Sequence, residues 1–199
     1  MKAVVASRNH HKVAEIRLLL ADLALDLVTI DQVAPHAVLV EDEPTFEANA
    51  LAKARQAAAA TGLPAFGDDS GLEVDALEGA PGVRSARYAG DPCDDAANNR
   101  KLIAELARAG DAPRTARYRC AAAFVDPMRG IEFVRTGSCE GVILAAPRGA
   151  GGFGYDPLFL VPELGKTMAE MAIADKNRLS HRAAAFRALA RALAPARAL

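Results

Sequence analysis

Short apolar runs that break into polar or acidic turns constrain this chain most. Lys2 to Ala6 is such a run, and it ends at Ser7-Arg8-Asn9. From His10 to Ala21 the apolar residues Val13, Ile16, Leu19 and Leu20 return at helical spacing, and Asp26 to Ile30 reads as a second short strand. Strand, turn, helix and strand in that order open an α/β fold.

The same grammar continues downstream. Thr45 caps a helix expected to reach about Ala60, closed by Gly62 and Pro64. Pro64 to Gly67 is a brief strand entering Asp68-Asp69-Ser70-Gly71, with Leu72 to Leu77 extended beyond it. Asp94 to Ala109 reads as helix. Arg114 to Asp126 and Ile131 to Glu140 form a hairpin across Pro127-Met128-Arg129-Gly130. Gly149 to Pro157 is a glycine-rich loop before a strand at Leu158 to Val161, and Ser180 caps a final helix to Ala194. With 199 residues, no repeat and no linker, one domain spanning 1–199 is expected.

Composition removes several classes of function. A formal net charge of -1 leaves no broad basic face for a nucleic-acid polymer. Cys93, Cys120 and Cys139 have neither CxxC spacing nor an even count, so free thiols in a reducing cytoplasm are expected. No apolar stretch is long enough for a membrane span.

Four polar clusters interrupt the apolar elements. Ser7, Arg8, Asn9, His10, His11 and Lys12 lie where a strand meets a helix start, whose unpaired N–H groups and positive dipole suit phosphate oxygens. The Walker A pattern GxxxxGK[ST] is absent. Glu41-Asp42-Glu43 and Asp68-Asp69-Ser70 supply hard carboxylate oxygens of the kind Mg²⁺ takes. The alternatives are a solvated acidic face and a turn before Gly71. In Gly151-Gly152-Phe153-Gly154-Tyr155-Asp156-Pro157 the glycines permit close backbone approach, and Phe153 or Tyr155 can stack on a base. Lys176 to Arg182 gathers donors before and into a helix start, with a turn expected ahead of Ser180.

Together these segments resemble the inosine/xanthosine triphosphate pyrophosphatase family, the non-standard purine NTP hydrolases. ASRNHHK, TFEANALAKA, AFGDDSGLEVDALEGAPGVRSARYAG, GGFGYDPLF and KNRLSHRAAA carry the resemblance, in the family's order and over nearly the whole chain. It implies an elongated mixed sheet flanked by helices in two lobes with a central nucleotide cleft. It also implies a homodimer, Mg²⁺ dependence and cleavage between the α- and β-phosphates. Carried over by position, Ser7, Asn9, Lys12 and Lys53 meet the phosphates, Asp69 is the general base and a metal ligand, and Glu41 is a metal ligand. Ser70 becomes a substrate contact. Phe153, Gly154, Tyr155 and Asp156 form the base loop, with Lys176, His181 and Arg182 completing the pocket. One position departs from TFxENA: Ala48 stands where glutamate is usual, and Asp42, Glu43 and Asp68 become candidates for the missing acid. Glu47 is no simple substitute, because one helical step turns a side chain by about 100°.

Overall fold

A computed structural model of the chain describes residues 1–196, so the end of the expected 1–199 domain lies outside the described residues. Seven strands pair in the order β2-β1-β3-β4-β5-β6-β7. They are β1 (Lys2–Val5), β2 (Asp26–Thr29), β3 (Ala65–Val74), β4 (Thr115–Asp126), β5 (Ile131–Ile143), β6 (Phe159–Val161) and β7 (Lys166–Thr167). β1 runs parallel to β2 and β3, whereas β6 is antiparallel to β5 and β7. The mixed α/β sheet expected from the sequence is therefore present. The helices are α1 (His10–Leu19), α2 (Ile30–Val33), α3 (Phe46–Thr61), α4 (Asp95–Arg108), α5 (Ile173–Leu179) and α6 (His181–Ala196).

Contacts divide the chain into two compact units. The first holds residues 1–69, 120–137 and the segment from His181 onward. Within it β1, β3 and β4 are buried on both faces, and their side chains alternate between two cores. Ala3, Val5, Phe66, Cys120, Ala122 and Phe124 pack with Val13 and Ile16 of α1 and with Ala185, Phe186 and Leu189 of α6. Val4, Ala6, Ala65, Ala121, Ala123 and Val125 pack with Ala50, Ala54, Ala57 and Ala58 of α3. The alternation fixes the site. In β3, Ala65, Gly67 and Asp69 face α3, while Phe66 and Asp68 face α1 and α6.

Gly67 makes that packing dense, because a Cβ built on it would overlap the carbonyl oxygen of Ala50. Backbone cannot yield as a flexible side chain does. Gly67→Ala should therefore cost at least about 2 kcal/mol, the scale of core overpacking. Urea unfolding measures it, and an unchanged midpoint would contradict this packing.

The second unit holds residues 70–119 and 138–180. Leu72 and Val74 of β3, Tyr118 of β4, Leu102 and Leu106 of α4, and Tyr155, Leu158 and Phe159 share its core. Asp94 caps α4 by accepting from the Ala97 N–H at 3.0 Å.

Three elements depart from the sequence expectations. β3 runs unbroken through Asp68-Asp69-Ser70-Gly71, so the brief strand expected to Gly67 and the extended run from Leu72 are one strand, and the alternative of a turn there is not realised. The expected turn before Ser180 is instead the helix α5, whose buried residues Lys176 and Asn177 are polar and so hide its periodicity. Extended backbone at Ser180, with ψ 156°, separates α5 from α6. β7 spans two residues and leaves no pattern to read.

Candidate active site

The first unit gathers the acids and cations in two groups, one on each face of β3. Lys12 Nζ lies 2.7 Å from Asp68 Oδ1. Arg182 donates from Nε to Asp68 Oδ2 at 2.9 Å and from Nη1 to Glu15 Oε2 at 2.5 Å. Cys120 Sγ donates to Asp68 Oδ2 at 3.2 Å. Burial raises the Asp68 pKa, but the charges of Arg182, Lys12 and Lys53 overcome it and hold the carboxyl well below the ordinary range. Asp68 is thus surrounded by two cations and a thiol. Strand alternation turns it to the opposite face of β3 from Asp69.

On the other face, Lys53 Nζ donates to Glu41 Oε2 at 2.8 Å and to Asp69 Oδ1 at 3.2 Å. Asp69 Oδ2 is buried and has no hydrogen-bond partner among the described residues. Burial and the neighbouring acids raise the Asp69 pKa, against the lowering pull of Lys53 and Lys12. Burial also pushes Glu41 up, but Lys53 and Lys12 bring it below its usual value. Two adjacent acids thus have opposite characters: Asp68 is held ionised, and Asp69 is made more basic.

Glu41 rides on an irregular segment that three side chains fasten. Arg8 bonds Asp31 at 2.7 Å and the carbonyls of Pro35 and Ala37 at 3.0 and 2.8 Å. Its guanidinium fastens the segment. Gln56 accepts from the Val40 N–H at 2.8 Å. Buried Asn49 accepts from the Glu43 N–H at 3.0 Å and donates to the Glu43 carbonyl at 3.1 Å. Ala48 occupies the capped first turn, its N–H donating to Thr45 Oγ1 at 3.1 Å.

At the start of α1, Asn9 Oδ1 accepts from the N–H groups of His11 and Lys12 at 3.0 and 3.1 Å. Two of the helix-start donors are therefore already used by the Asn9 cap. Ser7 Oγ accepts from the Asn9 N–H at 3.2 Å. His10 and His11 are exposed on the first turn.

The glycine-rich loop forms a second constellation, in the other unit. Buried Asp156 pins it, accepting from the Phe153 N–H at 3.0 Å, Tyr118 OH at 3.1 Å and Lys176 Nζ at 2.7 Å. Gly152 has φ +72°, and any Cβ there would overlap the Asp156 carboxylate. The Gly154 peptide is held from both sides: its N–H donates to Asp95 at 2.7 Å and its carbonyl accepts from Asn99 at 2.9 Å. Lys176 Nζ stands 4.8 Å from the Phe153 ring centroid. Phe153 is half-buried, whereas Tyr155 is buried in the core and donates its hydroxyl to the Ser85 carbonyl at 2.8 Å. Of the two aromatic candidates, Phe153 keeps an accessible ring and Tyr155 anchors the loop in the core.

Lys176 thus meets the glycine-rich loop through Asp156, while Arg182 bonds Asp68 and Glu15. His181 is buried at the first position of α6, and Ser70 is half-buried on β3. Sequence reasoning missed Glu15, Asp95, Asn99 and Tyr118. Glu15 carried a signal: an acid beside Ile16 on α1, three residues after Lys12, the spacing of one helix face.

Known proteins provide a direct comparison. The family model described as Ham1 family matches residues 3–192. A dITP/XTP pyrophosphatase of Geobacter sulfurreducens is 50% identical over 185 residues, covering 93% of this chain and 92% of that protein. One of Nocardia farcinica is 51% identical over 197 residues, covering 97% and 95%. The solved structure of a HAM1 protein from Coxiella burnetii superposes with a TM-score of 0.88 at 41% identity, covering 97% of this chain and 98% of that one. The Ham1 protein of Staphylococcus aureus gives 0.85 at 38% identity, with 97% and 98% covered. The resemblance carried by the five sequence stretches is borne out.

Proposed function

Because this chain belongs to the Ham1 family, we propose that it hydrolyses triphosphates of non-standard purines (ITP, dITP and XTP) to the monophosphate and pyrophosphate, clearing deaminated purines from the nucleotide pool. Asp69 carries the reading. Its carboxylate is buried, Lys53 occupies Oδ1, and Oδ2 has no hydrogen-bond partner among the described residues. A raised pKa suits it to accept a proton. In the proposal Asp69 deprotonates or orients the water that attacks the α-phosphorus, and pyrophosphate departs. Lys53 holds the base in place, while Lys12, the Ser7 hydroxyl and the Asn9 amide bind phosphate oxygens.

Glu41 and Asp69 fit Mg²⁺, which takes one or two carboxylates and completes its shell with phosphates and water. They share one ammonium partner, Lys53. When bound, the ion would supply neutralisation of phosphate charge.

Base selection rests on the second constellation. Phe153 stacks on the purine, and Lys176, held by Asp156, donates to the 6-oxygen of hypoxanthine or xanthine. His181 remains a candidate base contact and Ser70 a candidate substrate contact. Adenine's amino group would leave the Lys176 donor unmatched, a mismatch that costs about 10⁴-fold where a site is built around one hydrogen bond. Pyrophosphate release from ITP, dITP, XTP, ATP, GTP and dTTP with Mg²⁺ tests this. Release from the first three should exceed that from ATP at least about a hundredfold. Equal turnover of ATP, or orthophosphate as the product, would contradict it. Phe153→Ala should raise KM for every purine about tenfold, the scale of one base–aromatic stack, and an unchanged KM would remove Phe153 from that role.

The proposal extends to a cytoplasmic homodimer. Among the described residues no helix is long and apolar enough to cross a membrane. Light scattering should give twice the 20.9 kDa chain mass.

A further inference from the structure

Burying a glutamate on α1 is expensive, since the position beside Ile16 would accept an apolar side chain without desolvating a charge. Glu15 is nonetheless 3% exposed, and its carboxylate meets Arg182, which is 1% exposed. From this pair a line of alternating charges runs outward: Glu15, Arg182, Asp68, Lys12. Two acids and two cations balance. Side-chain exposure along the line is 5%, 1%, 1% and 17%, so the ammonium of Lys12 is its outlet.

The guanidinium is a planar fork, and its two anchored nitrogens fix its orientation. Nη1 is on Glu15 and Nε on Asp68 Oδ2. With Oδ2 taken by Arg182 and Cys120, Asp68 meets Lys12 through Oδ1. Loss of the anionic anchor removes one of the two carboxylates that orient the guanidinium, and with it a constraint that leaves Oδ1 to Lys12.

We infer that Glu15 is a positioning residue for the phosphate-binding cation, fixing the Arg182 fork so that Asp68 presents Lys12 to the polyphosphate of the substrate. This rests on the proposed reaction and adds a member to it. Glu15 touches no substrate. Its effect passes wholly through Lys12.

The test is a double-mutant cycle on binding, read by calorimetry with inorganic tripolyphosphate in EDTA and, in parallel, by kcat and KM for dITP. Glu15→Gln should weaken tripolyphosphate binding about tenfold, the size of one misdirected charge-assisted hydrogen bond. In a Lys12→Met background the same change should cost less than about threefold, because coupled neighbours are not additive. Arg182→Lys, which keeps the charge but cannot span two carboxylates, should reproduce the loss and not add to Glu15→Gln. It also serves as the working variant if Glu15→Gln does not fold. Additive losses in the Lys12→Met background would overturn the inference while leaving the proposed reaction intact. Absence of pyrophosphate release from every triphosphate by the unmodified protein would instead overturn the reaction, and the inference with it.

Discussion

Asp69→Asn is expected to lower kcat for pyrophosphate release from dITP by about three orders of magnitude, within the range for losing a general base. Nucleotide affinity should stay within about threefold, because the phosphate and base contacts assigned to the other side chains remain. Asparagine keeps the size of the group, and its oxygen still accepts from Lys53, but it cannot take a proton from water. Single-turnover chemistry separated from equilibrium binding reads the two effects independently. Retained turnover would assign the base to another group.

Asp68→Ala should behave in the opposite way, as a loss of stability first. It leaves Arg182 buried with Glu15 as its remaining acid among the named partners, and removes the anchor of Lys12. Breaking a buried ion pair on one side costs about 3–5 kcal/mol. For a chain of this size each kcal/mol lowers Tm by roughly 2–4 °C, so a fall on the order of 10 °C is expected by calorimetry. The pH dependence has a definite sign. The folded-state pKa of Asp68 is depressed, so its contribution is fully present above the unfolded value of about 4 and is lost as pH falls through the folded value. Asp68→Asn should therefore start less stable at neutral pH and lose less than the unmodified protein below about pH 4. Parallel loss in the two proteins would contradict the depressed value.

The difference between these neighbours was open to a reading of the sequence. Asp68 and Asp69 stand in a run from Ala65 to Val74 that is one unbroken strand, and alternation places consecutive side chains on opposite faces. Reading Asp68-Asp69-Ser70 as one acidic cluster at a strand end hid that consequence and grouped the two acids. The strand and helix order was legible because short apolar runs are punctuated by polar turns and by caps such as Thr45 and Asp94. The base loop was legible as chemistry but not as mechanics. Asp95 and Asn99 reach Gly154 across 59 and 55 residues, and no local pattern encodes such a contact. Arg182 was recognisable as a site residue, yet its partner Glu15 lies 167 residues away, so its side of the sheet depended on tertiary packing. The Ala48 departure from TFxENA leaves Glu41 and Asp69 as the paired acids, joined through Lys53.

All of this depends on β3 dividing its two acids between holding and reacting. Anomalous scattering from Mn²⁺ in crystals soaked with a non-hydrolysable dITP analogue tests that division most directly. The manganese peak should fall within coordination distance of the Asp69 and Glu41 carboxylates, with Asp68 still closed by Lys12 and Arg182. A peak on Asp68, with Asp69 left without metal or phosphate nearby, would contradict it.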